Sequence, residues 1–150
     1  MFLLFKGFFL VSETHLILAS APDNLGLKNQ LLLPCPRTPN CVSSQEKNLL
    51  NRIQPITFED SLEKAKERIY QVIISMHGTR IIIQNDFYWH VEFTTLILRF
   101  VDDLEFYFDG SQSIIHIRSA SRRGYWDLGV NRRRVESIRS RFEKLTNETY

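Results

Sequence analysis

The alternation between residues 103 and 119 narrows the choice of fold more than any other feature of this chain. In Asp103–Phe108, Leu104, Phe106 and Phe108 fall on one face of an extended backbone, and Asp103, Glu105 and Tyr107 on the other. In Ser113–Ser119, Ile115 and Ile117 oppose Ile114, His116 and Arg118. A period of two belongs to a strand with one face in a core. Between the runs, Asp109-Gly110-Ser111-Gln112 has the length and residue types of a hairpin turn. That turn sets Phe106 opposite Ile115 and Leu104 opposite Ile117. On the other face it sets Glu105 opposite His116 and Asp103 opposite Arg118. A one-residue slip would set apolar side chains against charged ones.

A second hairpin precedes it. Thr79–Ile83 and Phe87–Thr95 are rich in β-branched and aromatic residues, with Asn85-Asp86 as turn formers. A three-residue loop matches Ile83 with Phe87 and Ile81 with Trp89. Ile53–Ile56 reads as a short strand that Pro55 confines to an edge. Two helices frame the strands. Phe58, Leu62, Ala65, Ile69, Val72 and Met76 recur at helical spacing, with Thr57 or Asp60 as the cap and Gly78 as the left-handed terminator. Near the C-terminus Val135, Ile138, Phe142 and Leu145 form a second stripe, with Asn131 as the cap and Val130 stapled to Val135. The expected fold class is α+β: an antiparallel sheet of about four to five strands with two amphipathic helices packed on one face.

With 150 residues, 43% hydrophobic and 24% charged, one domain is expected, able to bury a core without staples. The net charge of +2 is too even for a protein built chiefly to grip nucleic acid. Residues 1–21 form a signal-like or anchoring segment. It is apolar around Lys6 and ends in the small-x-small sequence Ala19-Ser20-Ala21, although Glu13 and His15 interrupt it. Export to a periplasm, lumen or membrane and retention in the cytoplasm both stay open. Residues 22–48 read as a loop stiffened by Pro22, Pro34, Pro36 and Pro39, and residues 49–146 as the α+β domain.

Four clusters carry chemistry. Cys35 and Cys41 enclose five residues, two of them proline. They suit a disulfide in an exported chain, two thiols in a reduced one, and a metal or redox pair only poorly. Ser43 and Ser44 lack the glycine frame of a nucleophile elbow and a convincing base. His90 with Glu92, and Glu105 with His116, are weak candidates for a divalent metal; ordinary cross-strand pairing is the alternative. Asp102, Asp103, Glu105 and Asp127 are expected to form internal ion pairs with arginine rather than an acid–base set.

The arginines are the strongest anomaly. From 118 to 141 eight of them face only Asp127 and Glu136, whereas residues 59–109 hold ten acids and five cations. Arg132, Arg133 and Arg134 are expected in the first helical turn, where the macrodipole disfavours cations. Internal ion pairs are one answer. The other is an anion or acidic partner held by Arg118, Arg122, Arg123, Tyr125, Asn131, Arg132, Arg133 and Arg134.

Two long segments, Pro34-Cys35-Pro36-Arg37-Thr38-Pro39-Asn40-Cys41-Val42-Ser43-Ser44-Gln45 and Arg118–Arg134, together with Pro22-Asp23-Asn24-Leu25-Gly26 and Phe100–Phe106, resemble the domain-of-unknown-function family 1499. This family comprises small proteins of bacteria and photosynthetic eukaryotes. The resemblance covers about residues 22 to 145 and implies no activity and no cofactor. Many members carry an export signal ahead of the Pro-Asp-Asn-Leu-Gly segment, and others begin near it. The functional expectation is a non-enzymatic module that binds an anionic small molecule, a lipid headgroup or an acidic protein surface, with no catalytic residue assigned. A metal-dependent enzyme using the His/Glu face and a structural or assembly protein without a small ligand are the alternatives.

Overall fold

A computed structural model describes residues 22–148 as an α+β domain; the signal-like segment 1–21 lies outside the described residues. In chain order the elements are β1 (Leu27–Lys28), β2 (Leu31–Leu32), β3 (Cys41–Ser43), β4 (Ile56–Thr57), α1 (Leu62–Ser75), β5 (Thr79–Gln84), β6 (Tyr88–Thr94), β7 (Val101–Asp109), β8 (Ile114–Ser121) and α2 (Val130–Asn147). The main sheet has six antiparallel strands rather than four or five, in the order β3-β8-β7-β6-β5, with β4 also on β8; β1 and β2 form a separate ribbon. The extra strand arises because β3 and β4 share the outer edge of β8. The chain leaves that edge after Ser44, makes an excursion and returns at Ile56. The short strand expected over residues 53–56 is thus Ile56–Thr57, just beyond Pro55, which has no N–H to offer a ladder.

Period-two patterning fixes which side chains face the helices. Trp89, Val91, Phe93, Leu104, Phe106, Phe108, Ile115 and Ile117 form one core with Ala65, Ile69, Val72 and Ile73 of α1 and Val135, Ile138 and Phe142 of α2. The register within the sheet differs from expectation. Across β7 and β8, Phe106 pairs with Ile117, Glu105 with Arg118 and Tyr107 with His116, two residues from the expected match. Both face assignments survive, since a shift of two restores them. The cause lies in the turn. Asp109 pairs with Ile114 and its carboxylate accepts the Ser111 and Gln112 N–H groups, so the loop is Gly110–Ser113.

Between β5 and β6, Gln84 pairs with Trp89 and Arg80 with Glu92, with a bulge at Ile82, instead of the Ile83–Phe87 and Ile81–Trp89 pairs. There Asn85 Oδ1 accepts the N–H groups of Phe87 and Tyr88, which lengthens the turn.

The helix caps also move. Ser61, not Thr57 or Asp60, caps α1 by accepting the Lys64 N–H. The helix ends at Met76, whose backbone is extended at φ −92° and ψ 134°, and not at Gly78, which lies in the following turn at φ 81°; a Cβ there would lie 2.4 Å from the Thr94 carbonyl oxygen. α2 begins at Val130 after Gly129, whose φ of 75° favours glycine, so Asn131 is its second residue and not its cap. Arg132, Arg133 and Arg134 therefore stand two positions deeper in the helix than expected.

Candidate functional site

The sheet face turned away from the helices is charged, yet it is as buried as the core. Residues 22–48 cover it: Leu32 of β2 packs with Tyr88 and Tyr107, and the Gly26 N–H donates to Glu105 Oε1 at 2.7 Å. Placing carboxylates and guanidinium groups in such a setting requires that they meet one another.

They meet as two adjoining groups. At the centre of β7 and β8, Arg118 Nη1 donates to Glu105 Oε2 at 2.5 Å, and the Tyr88 hydroxyl donates to Glu105 Oε1 at 2.7 Å. Burial, then the neighbouring Glu105 charge, pushes the Tyr88 phenol well above its ordinary range. Beside them Arg122 binds Asp103 side-on, with Nε 2.9 Å from Oδ2 and Nη2 2.7 Å from Oδ1, and Nη2 also reaches Glu92 Oε1 at 2.5 Å. His90 Nε2 lies 2.7 Å from Asp103 Oδ1, and Arg80 closes the chain on Glu92 Oε2 at 2.6 Å. Burial works to raise the pKa of both Asp103 and Glu92. The hydrogen bonds and charges of His90 and Arg122 for Asp103, and of Arg80 and Arg122 for Glu92, outweigh it and hold both carboxyls low. The same partners, Asp103 first, hold Arg122 more firmly protonated than a free arginine.

The structure disperses the other arginines of the expected site. Arg134 donates to Asp102 Oδ2 at 2.5 Å and lies over the Phe93 ring. Arg132 donates to the Leu50 and Arg52 carbonyls, and Arg133 to that of Leu128. Arg123 and Tyr125 are exposed. Asn131 is wholly buried: its Oδ1 accepts from Ser119 and Arg134, and its Nδ2 donates to the Asn40 carbonyl, Ser121 and Asp127. Asp127 makes no ion pair among the described residues. Its carboxylate accepts the N–H groups of Gly129 and Asn131, which puts a negative charge at the start of α2 and offsets the dipole cost of the arginines.

Cys35 and Cys41 are joined in a disulfide, Cα–Cα 5.7 Å. The loop they close presents Asn40, whose Nδ2 donates to the Ser121 and Gly124 carbonyls. Between this loop, Pro22, Asn24 and Leu25 on one side and β8 on the other lies a cleft of about 290 Å³ whose wall includes Asp103, Arg118 and Arg122. Arg118 is fully buried there, and its Nε and Nη2 have no hydrogen-bond partner among the described residues.

The four metal candidates are not gathered. Glu92 is held by arginines, Glu105 by Arg118 and Tyr88, and His90 by Asp103, while His116 stacks on Tyr107 and contacts Ser44. Among the described residues no group of three or more His, Cys, Asp or Glu side chains is arranged to hold a metal. The Ser44–His116 contact, Oγ to Nδ1 at 3.2 Å, had no signal in the sequence. Ser44 Oγ also accepts the Ile117 N–H where the edge strand departs, and burial keeps the His116 ring below its ordinary pKa.

These features define a small α+β domain with an ionic network sealed beneath a disulfide-closed covering segment. A model of the family described as "Protein of unknown function (DUF1499)" matches residues 31–142, and the chain belongs to that family. No curated protein matches the chain.

Proposed function

We propose that this protein is a non-enzymatic binding module that takes a small anionic group, a carboxylate or phosphate, in the cleft over Arg118. The observation that carries the reading is the state of that guanidinium. Its Nη1 is committed to Glu105, whereas Nε and Nη2, the two donors of one edge, are buried without an acceptor among the described residues. Arg122 uses this same edge to grip Asp103 side-on, which is the geometry a carboxylate or phosphate would repeat on Arg118. Leaving such donors unbonded in a buried site is costly, and an anion's oxygens relieve that cost. The cleft is roofed by the Pro22–Leu25 segment and the disulfide loop, so the oxidised loop is part of the site.

The test is a thermal-shift titration of the purified chain with phosphate, acetate and succinate at constant ionic strength. At least one anion is expected to raise the melting temperature saturably, as a ligand specific for the native state must. Ala120→Val, which narrows the cleft wall, is expected to remove the shift. A melting temperature indifferent to all three anions refutes the proposal.

A further inference from the structure

We infer that the end of the sheet bearing the β6–β7 and β8–α2 loops is a membrane-contact surface that inserts into an anionic phospholipid interface. Two loops project there. The β6–β7 connection carries Leu96, Ile97 and Leu98, and the β8–α2 connection carries Tyr125, Trp126 and Leu128, all exposed. They are neighbours because β7 and β8 are paired up to Asp102–Ser121, and just beyond that pair the Arg122 N–H donates to the Val101 carbonyl at 3.2 Å. Ile97 is 91% exposed, so it protrudes from the protein rather than lining the wall of a groove. Protruding apolar tips suit a fluid hydrocarbon boundary better than the shaped pocket of a protein partner.

Charge and chain direction select the occupant. Arg99 and Arg123 sit within the two loops, exposed and without an ion pair among the described residues. No carboxylate stands in residues 95–100 or 122–126, and Asp127 is turned into the helix start. Exposed arginine beside tryptophan, tyrosine and leucine is the combination an anionic headgroup layer accepts: rings at the interface, aliphatic tips below it, guanidinium groups on phosphates. The chain also enters the described fold at this end, since Pro22 shares the cleft with Arg122 and Gly124. No helix among the described residues is long and apolar enough to cross a membrane, so this surface would lie on the bilayer.

The full chain is mixed with vesicles of phosphatidylcholine alone or with phosphatidylglycerol added, and the bound fraction is measured by sedimentation together with tryptophan emission. The chain has two tryptophans: Trp89 is 3% exposed and Trp126 67%, so an emission shift on binding reports the loop. Binding with a blue shift is expected on the anionic vesicles, and Ile97→Ser with Leu98→Ser should weaken it by about tenfold or more. Arg99→Gln with Arg123→Gln should weaken it by about 25-fold, roughly fivefold for each charge. These sites are exposed, so the variants should keep the parent's thermal unfolding. Binding that is unchanged by the substitutions, with no movement of Trp126 emission, would assign attachment to residues 1–21 and overturn the inference. Absence of vesicle binding, or self-association through the same loops, would also overturn it.

Discussion

Replacing Glu105 by glutamine is the most informative perturbation of the buried network. The substitution keeps the volume and an oxygen able to accept from the Tyr88 hydroxyl and the Gly26 N–H, and replaces the charged acceptor facing Arg118 by a neutral amide NH2. Neither side chain of that pair has any solvent exposure. With the two charge centres about 4 Å apart and an effective dielectric constant of about 20, the lost attraction is about 4 kcal/mol. That lies within the range of about 3–5 kcal/mol for stranding one member of a buried pair, a large part of a total stability of about 5–15 kcal/mol. Urea unfolding followed by fluorescence measures the loss. Arg118→Met together with Glu105→Gln should be more stable than Glu105→Gln alone, because the stranded charge leaves with the arginine. Acetate or phosphate should stabilise Glu105→Gln more than the parent, by supplying the missing charge through the cleft. A loss below about 1 kcal/mol, the scale of one ordinary hydrogen bond, with no benefit from the second substitution, would refute the pairing argument.

Two further outcomes follow from individual residues. Reducing the Cys35–Cys41 bond frees a loop of sequence separation 6, whose closure entropy corresponds to about 2 kcal/mol; the melting temperature should fall by roughly 6–10 °C in a thermal scan, and an unchanged value would show that Asn40 alone holds the loop. Burial holds His116 below its ordinary pKa, so the unfolded chain takes up the proton first and stability falls as pH drops below about 6.5; His116→Gln should flatten that part of the pH profile in urea titrations between pH 5 and 8, and an identical slope in the parent and the variant would contradict it.

Much of the fold was legible because burial against the helices follows a simple period. Ala65, Ile69 and Val72 of α1, Leu104, Phe106 and Phe108 of β7, and Val135, Ile138 and Phe142 of α2 all enter the core as their spacing implies. Register was less legible, since a period of two cannot distinguish shifts by two. The charge match of Asp103 with Arg118 was no better a guide than the observed match of Glu105 with Arg118, because this face carries several carboxylates and several cations. The burial of the charged face was illegible for another reason. Its cover, residues 22–48, has no periodicity and is held by isolated contacts such as the Leu32 N–H to Gln45 and the Gly26 N–H to Glu105. Asn131 illustrates the same blindness. In sequence it is a helix cap, while in the fold it joins Asn40, Ser119 and Ser121, partners remote in the chain.

The arginine-rich stretch acquires a different meaning once these partners are placed. Its arginines lie on β8, in the loop that follows and on α2, and half of the opposing acids lie on β6 and β7, so two opposite blocks of sequence become neighbours in the fold. Arg118, Arg122 and Arg134 each take a carboxylate from that acidic block. Arg132 and Arg139 do something that charge alone does not suggest: they donate to the carbonyls of Leu50, Arg52, Gln54 and Pro55. Those carbonyls belong to the excursion between β3 and β4, whose ladder is limited to a single parallel bridge between Ser43 and Arg52, and a guanidinium fork can serve two of them at once. Arg133 and Arg141 likewise bind the Leu128 carbonyl and the Ser75 hydroxyl. Of the eight, Arg123 is left without a protein partner among the described residues, and it stands in the loop of Tyr125 and Trp126. The fold thus spends seven arginines on its own architecture, and leaves the eighth beside an exposed apolar surface, where a phosphate outside the protein is the partner its chemistry lacks.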